Sequence, residues 1–266
     1  MRPVILMRAS LAEERELVAA KKHFDVIHLR EHAHRDDLVV GRYSVLPFYK
    51  EQEEGLAVAG ARLINTYTQH RCIADIMGWY DLLDGLTPQT WWRAEDVPMD
   101  EPGSFVVKGE TNSRKQLWRT HMFAPTRADV GRVMSRLMDD ELVGSQRIYI
   151  RRFVDLVKFG EAINGLPVTN EWRTFILDGT IVGQGFYWSE HIDDLNDAGV
   201  HPMPPPTAFM DDIIKRIGAI ARFVVVDVGQ LVSGDWTVIE LNDGQMSGLS
   251  CVDPDELCAS MRALLL

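Results

Sequence analysis

The chain has 266 residues, with 28 basic side chains against 39 acidic ones and a net charge of −11. That balance disfavours non-specific binding to a phosphate backbone, and 46% hydrophobic with 25% charged residues is ordinary globular composition, long enough for several lobes. Cys72, Cys251 and Cys258 lack CxxC spacing and read as reduced thiols in a cytoplasmic protein, PVILM is too short for a secretion signal, and no apolar run reaches the ~18 residues of a membrane span.

In chain order, Pro3 to Met7 reads as a strand, LAEERELVAAKKHF as a helix and DVIHL as a second strand, a βαβ start. EQEEGLAVAGARLIN repeats helix then strand. TQHRCIADIMGWYDLL is a further helix, and the Pro-, Asp- and Glu-rich AEDVPMDEPGS marks a lobe boundary before the strand FVVKGE. TRADVGRVMSRLMDDELV has an amphipathic helical period, and RIYIRRFVDL reads as a strand. EWRTFILDGTIVGQGFYW is a hairpin turning on Asp178-Gly179. A PMPPPT spacer, the helix AFMDDIIKRIGAIARF, a second hairpin and a last helix follow, the last with Asp253 as N-cap and Pro254 at its first position. The pattern predicts an α+β (α/β) protein divided near residues 1–70, 71–150 and 151–266. His32 and His34, in HLREHAHRDD, read as part of a surface loop rather than a metal site.

The second hairpin, FVVVDVGQLVSGDWTVIELND, carries acids among its β-branched residues. A two-residue loop at Ser233-Gly234 places Asp227 opposite Glu240 and Val225 opposite Asn242. Alternation then puts Asp227, Glu240 and Asn242 on one face, with Val226, Val228, Ile239 and Leu241 on the core face. Two carboxylates about 5 Å apart repel unless a cation or proton lies between them. Oxygen donors of this kind suit Mg²⁺, which keeps waters and substrate phosphates in its shell.

Asp227, with Glu240 thirteen positions on and Asn242 two further, resembles the Mg²⁺-binding triad of the ATP-grasp superfamily, and DGQMSGL resembles its glycine-bearing loop. The likeness runs from about residue 100 to the C-terminus. FVVKGETNSRK looks like the lysine strand and phosphate loop, IYIRRFV like the adenine hinge, and EWRTFILDGTIV like the arginine-bearing hairpin. FVVK together with RRFV and EWRTF is similar to a clade distinguished by two arginines and a lysine.

The resemblance implies an N-terminal βαβ lobe ahead of two α+β lobes that enclose ATP. It implies metal binding by Asp227, Glu240 and Asn242, and phosphate contact by Lys108. Glu110, Ser113, Arg114 and Lys115, with Thr111 and Asn112 before the last three, would cover the triphosphate. Ile150, Arg151, Arg152 and Phe153 would hold adenine. Arg151, Arg152 and Arg173 become candidates for the γ-phosphate or an acyl-phosphate, since a guanidinium keeps its charge and binds phosphate in a fork; an ion pair with Glu171 is the competing reading of Arg173. Arg42, Ser44, Gln245 and Ser247 would face the substrates. Two departures stand out. Only Arg71 is available where relatives carry a further lysine, and the ribose-binding acid is either Asp155 or Glu161.

The activity implied is an ATP- and Mg²⁺-dependent carboxylate–amine ligase, forming an acyl-phosphate and ADP, with an acid and an amine as small-molecule or peptide substrates. Alternatives are an ATP-grasp small-molecule kinase and a covalent nucleotidyl ligase acting on RNA or DNA. VVKGE lacks the glycine expected three residues after an adenylylated lysine, and the acidic charge argues against a nucleic-acid partner. The sequence leaves a homodimer open.

Overall fold

In the computed structural model, residues 1–8, 10–110 and 113–266 are described. The chain opens with β1 (Arg2–Leu6), α1 (Glu14–His23), β2 (Asp25–Ile27), β3 (Asp37–Gly41), α2 (Tyr49–Val58) and β4 (Arg62–Leu63). The four strands form one parallel sheet in the order β2-β1-β3-β4. Strands β1 and β3 are nearly continuous apolar runs because both faces are covered. One face packs on Tyr49 and Leu56 of α2. The other joins the core of the C-terminal sheet through Ile5, Met7 and Val40 against Phe175, Phe223, Leu257 and Met261.

Helix α3 (Tyr67–Ala74) begins with a Thr66–Gln69 capping box and ends sooner than its sequence period predicts. Asp75 is extended there, and its carboxylate accepts from the Met77 amide (3.1 Å) and the Tyr149 hydroxyl (2.5 Å). The close approach of Gly78 to Cys72, where a Cβ would lie 2.2 Å from a carbonyl oxygen, holds the chain in short 3₁₀ turns beyond that point.

A second, antiparallel sheet, β5-β8-β6-β7, is built from β5 (Thr90–Trp91), β6 (Phe105–Gly109), β7 (Phe123–Ala124) and β8 (Ile148–Arg152). Helix α4 (Val130–Met138) covers its core with Val130, Val133 and Leu137. Because β8 continues to Arg152, a boundary at 150/151 would cut a strand.

The hairpin of β9 (Lys158–Glu161) and β10 (Pro167–Thr169) leads into the third sheet, β12-β11-β13-β14. Its strands are β11 (Glu171–Leu177), β12 (Thr180–Phe186), β13 (Phe223–Gln230) and β14 (Trp236–Asp243), flanked by α5 (Ile192–Asp197), α6 (Thr207–Ile217) and α7 (Pro254–Leu265). Asp178 (φ 48°) and Gly179 (φ 79°) make the tight turn predicted between β11 and β12. Asp253 caps α7 by accepting from the amides of Asp255 and Glu256, with Pro254 at the first position.

The β13–β14 turn differs from expectation in two ways that cancel. The loop is longer than Ser233-Gly234: Leu231 donates to the Asp235 carbonyl (2.8 Å) and Gly234 to that of Leu231 (2.9 Å), so Gln230 pairs with Trp236 and Val228 with Val238. An extra residue, Ile239, then bulges out and restores the predicted register beyond it. Asp227 therefore does face Glu240, and Val225 faces Asn242. The bulge also corrects the core reading: Val238 takes the fully buried place beside Val226, Val228 and Leu241, and Ile239 turns to the wall of a cleft.

Candidate active site

Strand β11 lies between β12 and β13 and puts Arg173 directly opposite Asp227. The guanidinium grips the carboxylate with two hydrogen bonds, Nε to Oδ1 at 2.9 Å and Nη2 to Oδ2 at 2.8 Å, and its Nη1 donates to the Gly248 carbonyl (2.9 Å). The competing pairing of Arg173 with Glu171 is not formed. Glu171 instead accepts from the Thr169 hydroxyl and from the Trp188 indole at 3.2 Å. From the second sheet, Lys108 of β6 reaches across to Glu240, Nζ to Oε1 at 2.5 Å. Asp227 and Glu240 thus each have their own cation. Burial alone would push the Glu240 carboxyl up, but Lys108, Lys115 and Arg151 outweigh it and hold its pKa at about 2. Burial likewise opposes the Arg173 charge, and Asp227 more than offsets it, raising the guanidinium pKa.

The two sheets enclose a cleft of about 460 Å³, a size that accommodates a nucleotide. Its apolar wall includes Val106, Trp118, Val154, Leu156 and Ile239, and Lys108, Lys115 and Glu240 lie together at its charged part. Lys115 is half-buried, donating to the Tyr187 hydroxyl (2.6 Å) with its ammonium 4.4 Å from that ring's centre. Burial disfavours the charge, yet Tyr187, Glu171 and Glu240 raise the Lys115 pKa above its ordinary value. Glu171 shows the reverse balance, with burial raising its carboxyl despite Lys115.

As donors, Asp227, Glu240 and Asn242 are all oxygen ligands, the set a hard divalent ion requires. The Asn242 amide, half-buried, is engaged by no side chain among the described residues. No group of three acids, histidines or cysteines arranged for a metal occurs among the described residues, so two acids plus the amide is the composition offered.

Several sequence-predicted residues lie elsewhere. Ile150 is fully buried in the core of the second sheet and does not reach the cleft. The amides of Arg152 and Phe153 already donate to the carbonyls of Gln89 (2.8 Å) and Ser104 (2.9 Å), so the strand is committed up to Phe153 and the cleft-lining hinge continues through Val154 to Leu156. Arg151 is buried at the cleft floor, donating to Thr90 (3.2 Å), Thr87 (2.7 Å) and the Ile239 carbonyl (2.5 Å); burial lowers its pKa to about 10. The Arg152 guanidinium pairs with Glu101, while Arg152 and Phe153 both line the cleft.

Ser113 lines the cleft, whereas Arg114 turns to Asp140 (2.8 Å) and Glu110 to Arg71 (2.6 Å). Thr111 and Asn112 lie outside the described residues. Of the two ribose candidates, Asp155 lines the cleft and Glu161 is paired with Lys158 (2.6 Å).

The four substrate candidates divide similarly. Arg42 is buried and bonds Glu16 (2.6 Å), the Gly244 carbonyl and the Ser247 carbonyl (2.9 Å). Gln245 is buried between the Gly41 amide (3.1 Å) and the Tyr49 hydroxyl (2.6 Å). The Ser247 hydroxyl closes back on the Asp243 carbonyl (2.9 Å), and Ser44 alone is exposed. Arg42, Gln245 and Ser247 brace the loop after β14, because their polar groups bond within the protein. Glu171, Tyr187 and Trp188 are the site residues sequence reasoning missed. The period-two pattern that placed Arg173 on its strand face put Glu171 on the same face, and the two aromatics end that hairpin directly.

The sequence matches the profile of the ATP-grasp domain, R2K clade family 3, over residues 96–261, more than half of its length. The chain belongs to this family. Solved structures with the same fold include the ATP-grasp ligase PsnB complexed with the precursor peptide PsnA2 and AMPPNP (TM-score 0.60, 12% identity, covering 98% of this chain and 96% of that one). Another is D-cycloserine synthetase DcsG (TM-score 0.60, 13% identity, 99% and 100%). A third is a Chryseobacterium gregarium RiPP-associated ATP-grasp ligase in complex with ADP and a leader and core peptide (TM-score 0.57, 10% identity, 100% and 96%). No curated protein matches this sequence. At these identities the structures establish the fold alone, ATP-grasp.

Proposed function

We propose that this protein is an ATP- and Mg²⁺-dependent carboxylate–amine ligase that forms an acyl-phosphate and releases ADP. One observation carries the reading: Asp227 and Glu240 face each other across β13 and β14, each paired with a cation, and Glu240 lines a nucleotide-sized cleft. Asp227, Glu240 and Asn242 would hold Mg²⁺, which when bound adds positive charge next to the triphosphate. Lys108 and Lys115 lie where they can bind the phosphates, with Ser113 on the same wall. The backbone after Phe153 and the side chains of Val154, Leu156 and Ile239 would hold adenine. Arg173 holds Asp227 and the Gly248 carbonyl together, so it can stabilise charge that moves onto a transferring phosphoryl group beside them.

PsnB has been solved with its precursor peptide, and DcsG is a synthetase of a small molecule; both support an acid and an amine, borne by a peptide or a small molecule, as the substrate class here. Among the described residues no helix is long and apolar enough to cross a membrane, and the three cysteines are unpaired, which supports a reducing, cytoplasmic setting.

The test is incubation with Mg²⁺, ATP and a pooled library of amino acids and short peptides, the carboxylates labelled with heavy oxygen. ADP, labelled inorganic phosphate and a product lighter than its two parents by one water are expected. A phosphorylated product without free phosphate would make the protein a kinase, and an AMP adduct on Lys108 would make it a nucleotidyl ligase.

A further inference from the structure

Tyr187 follows β12 directly, and its amide donates to the Glu171 carbonyl (2.9 Å), which fixes the residue against β11. Its phenol oxygen accepts from Lys115, a residue of the loop between β6 and β7. The Arg173 guanidinium lies 4.9 Å from the same ring's centre and Lys115 4.4 Å from it. Tyr187 is not on the cleft wall, whereas Lys115 is. One aromatic ring thus stands behind two cations carried by different sheets' elements, in contact with both. Two cations gathered on one ring repel each other, and a ring face together with a phenol lone pair lowers that repulsion.

We propose that Tyr187 is a positioning residue: it braces Lys115 at the cleft against Arg173 behind it, so that Lys115 engages the β- and γ-phosphates of a nucleotide, without touching the nucleotide itself. The proposal rests on the nucleotide reading of the cleft and assigns a role to a residue outside it. Adenine and ribose contacts are independent of Tyr187, so the residue should affect the affinity for phosphates beyond the first and little else. A residue that only fills space would instead alter all nucleotides equally, or alter stability alone.

The experiment measures Kd for AMP-PNP with Mg²⁺ and for AMP by calorimetry, together with melting temperature, in the wild-type protein, Tyr187→Phe and Tyr187→Leu. Phe keeps the ring and loses the hydroxyl acceptor, and should lower the AMP-PNP affinity about 5-fold. Leu also loses the ring contact and should lower it roughly 30-fold. AMP affinity should stay within about 2-fold of wild type in both. In a Lys115→Met background, Tyr187→Phe should add no further loss, because its acceptor then has nothing to hold. An unchanged AMP-PNP to AMP ratio in both variants, or a full additional loss in the Lys115→Met background, overturns the proposal. A wild-type protein that binds AMP-PNP but shows equal loss for both nucleotides in the variants overturns this proposal alone. A wild-type protein that binds neither overturns the nucleotide reading and this proposal with it.

Discussion

The strand end of the β13–β14 hairpin and the loop that follows it are similar on paper, acids and amides among apolar residues, yet they are built to opposite ends. At the strand end, Asp227 and Glu240 each meet one cation that arrives from another strand, and Lys108 and Glu240 line an open cleft. Where β14 ends and the loop begins, Asp243 accepts from Tyr49 (3.1 Å), Asn65 (2.9 Å) and the Gln245 amide (3.0 Å), with His70 at 3.2 Å, and Arg42 closes over two carbonyls of the loop. A polar group whose partners are all internal is a structural brace; one with a single exchangeable counter-ion beside empty space can take a ligand. The difference lies in the number and origin of partners, and the following measurements probe it.

The largest effect belongs to the braced region. Arg42→Met leaves Glu16 buried without its cation and takes donors from the Gly244 and Ser247 carbonyls, and should cost about 3–5 kcal/mol in denaturant unfolding. Glu16→Gln combined with Arg42→Met removes the stranded charge and should recover part of that loss. A stability change under about 1 kcal/mol for Arg42→Met would return Arg42 to the substrate surface.

On the open side, Arg173→Gln should reduce kcat and kcat/KM together by on the order of 100-fold, the mark of an interaction made in the transition state. It also leaves the Asp227 carboxylate, 2% exposed, without its fork. Mg²⁺ should therefore raise the melting temperature of Arg173→Gln more than that of the wild type, since the ion replaces a missing counter-charge. Equal shifts would remove Asp227 from the metal-binding set.

The hairpin was legible because period-two alternation and a turn signal are local, and the opposed acids emerged in the right register only because a longer turn and a bulge at Ile239 offset each other. Asp178-Gly179 and the Asp253-Pro254 cap were legible for the same reason: the residue types force the backbone. The fate of Arg42, Gln245, Arg114 and Ile150 was not, because it depends on partners far away in sequence. Arg42 meets Ser247 and Gln245 meets Gly41 only once the first lobe packs against the third sheet. Tyr187 escaped notice because aromatics at a strand end are ordinary core residues until a cation from another lobe is placed on them.

A smaller effect concerns acid stability. The Glu240 pKa, about 2, lies below its ordinary value of 4.5, so the folded state gains stability from the ionised form above pH ~4.5 and loses it as pH falls towards 2. Because Glu240 borders a solvent-accessible cleft, screening reduces the contribution to roughly 1–2 kcal/mol. Glu240→Gln should accordingly show a flatter stability profile between pH 4.5 and 2 than the wild type, in chemical denaturation at fixed ionic strength. Parallel profiles would mean that the Lys108–Glu240 contact contributes nothing to folding.

The smallest effect compares neighbours. Arg114 and Lys115 are adjacent basic residues in one loop, and the sequence offers no reason to separate them. Lys115 turns into the cleft against Tyr187, and Arg114 turns away to Asp140, whose carboxylate also accepts from the Leu142 and Val143 amides. A partly exposed pair of this kind is worth under about 1 kcal/mol. Arg114→Ala should thus lower stability by no more than that and leave AMP-PNP affinity within about 2-fold. Lys115→Met should weaken AMP-PNP at least about 10-fold, because it removes a charge from the phosphate end of the cleft. Calorimetric titration of both variants side by side decides the matter. Equal losses would mean that Arg114 swings onto the nucleotide when it binds and that its pairing with Asp140 belongs to the empty cleft alone.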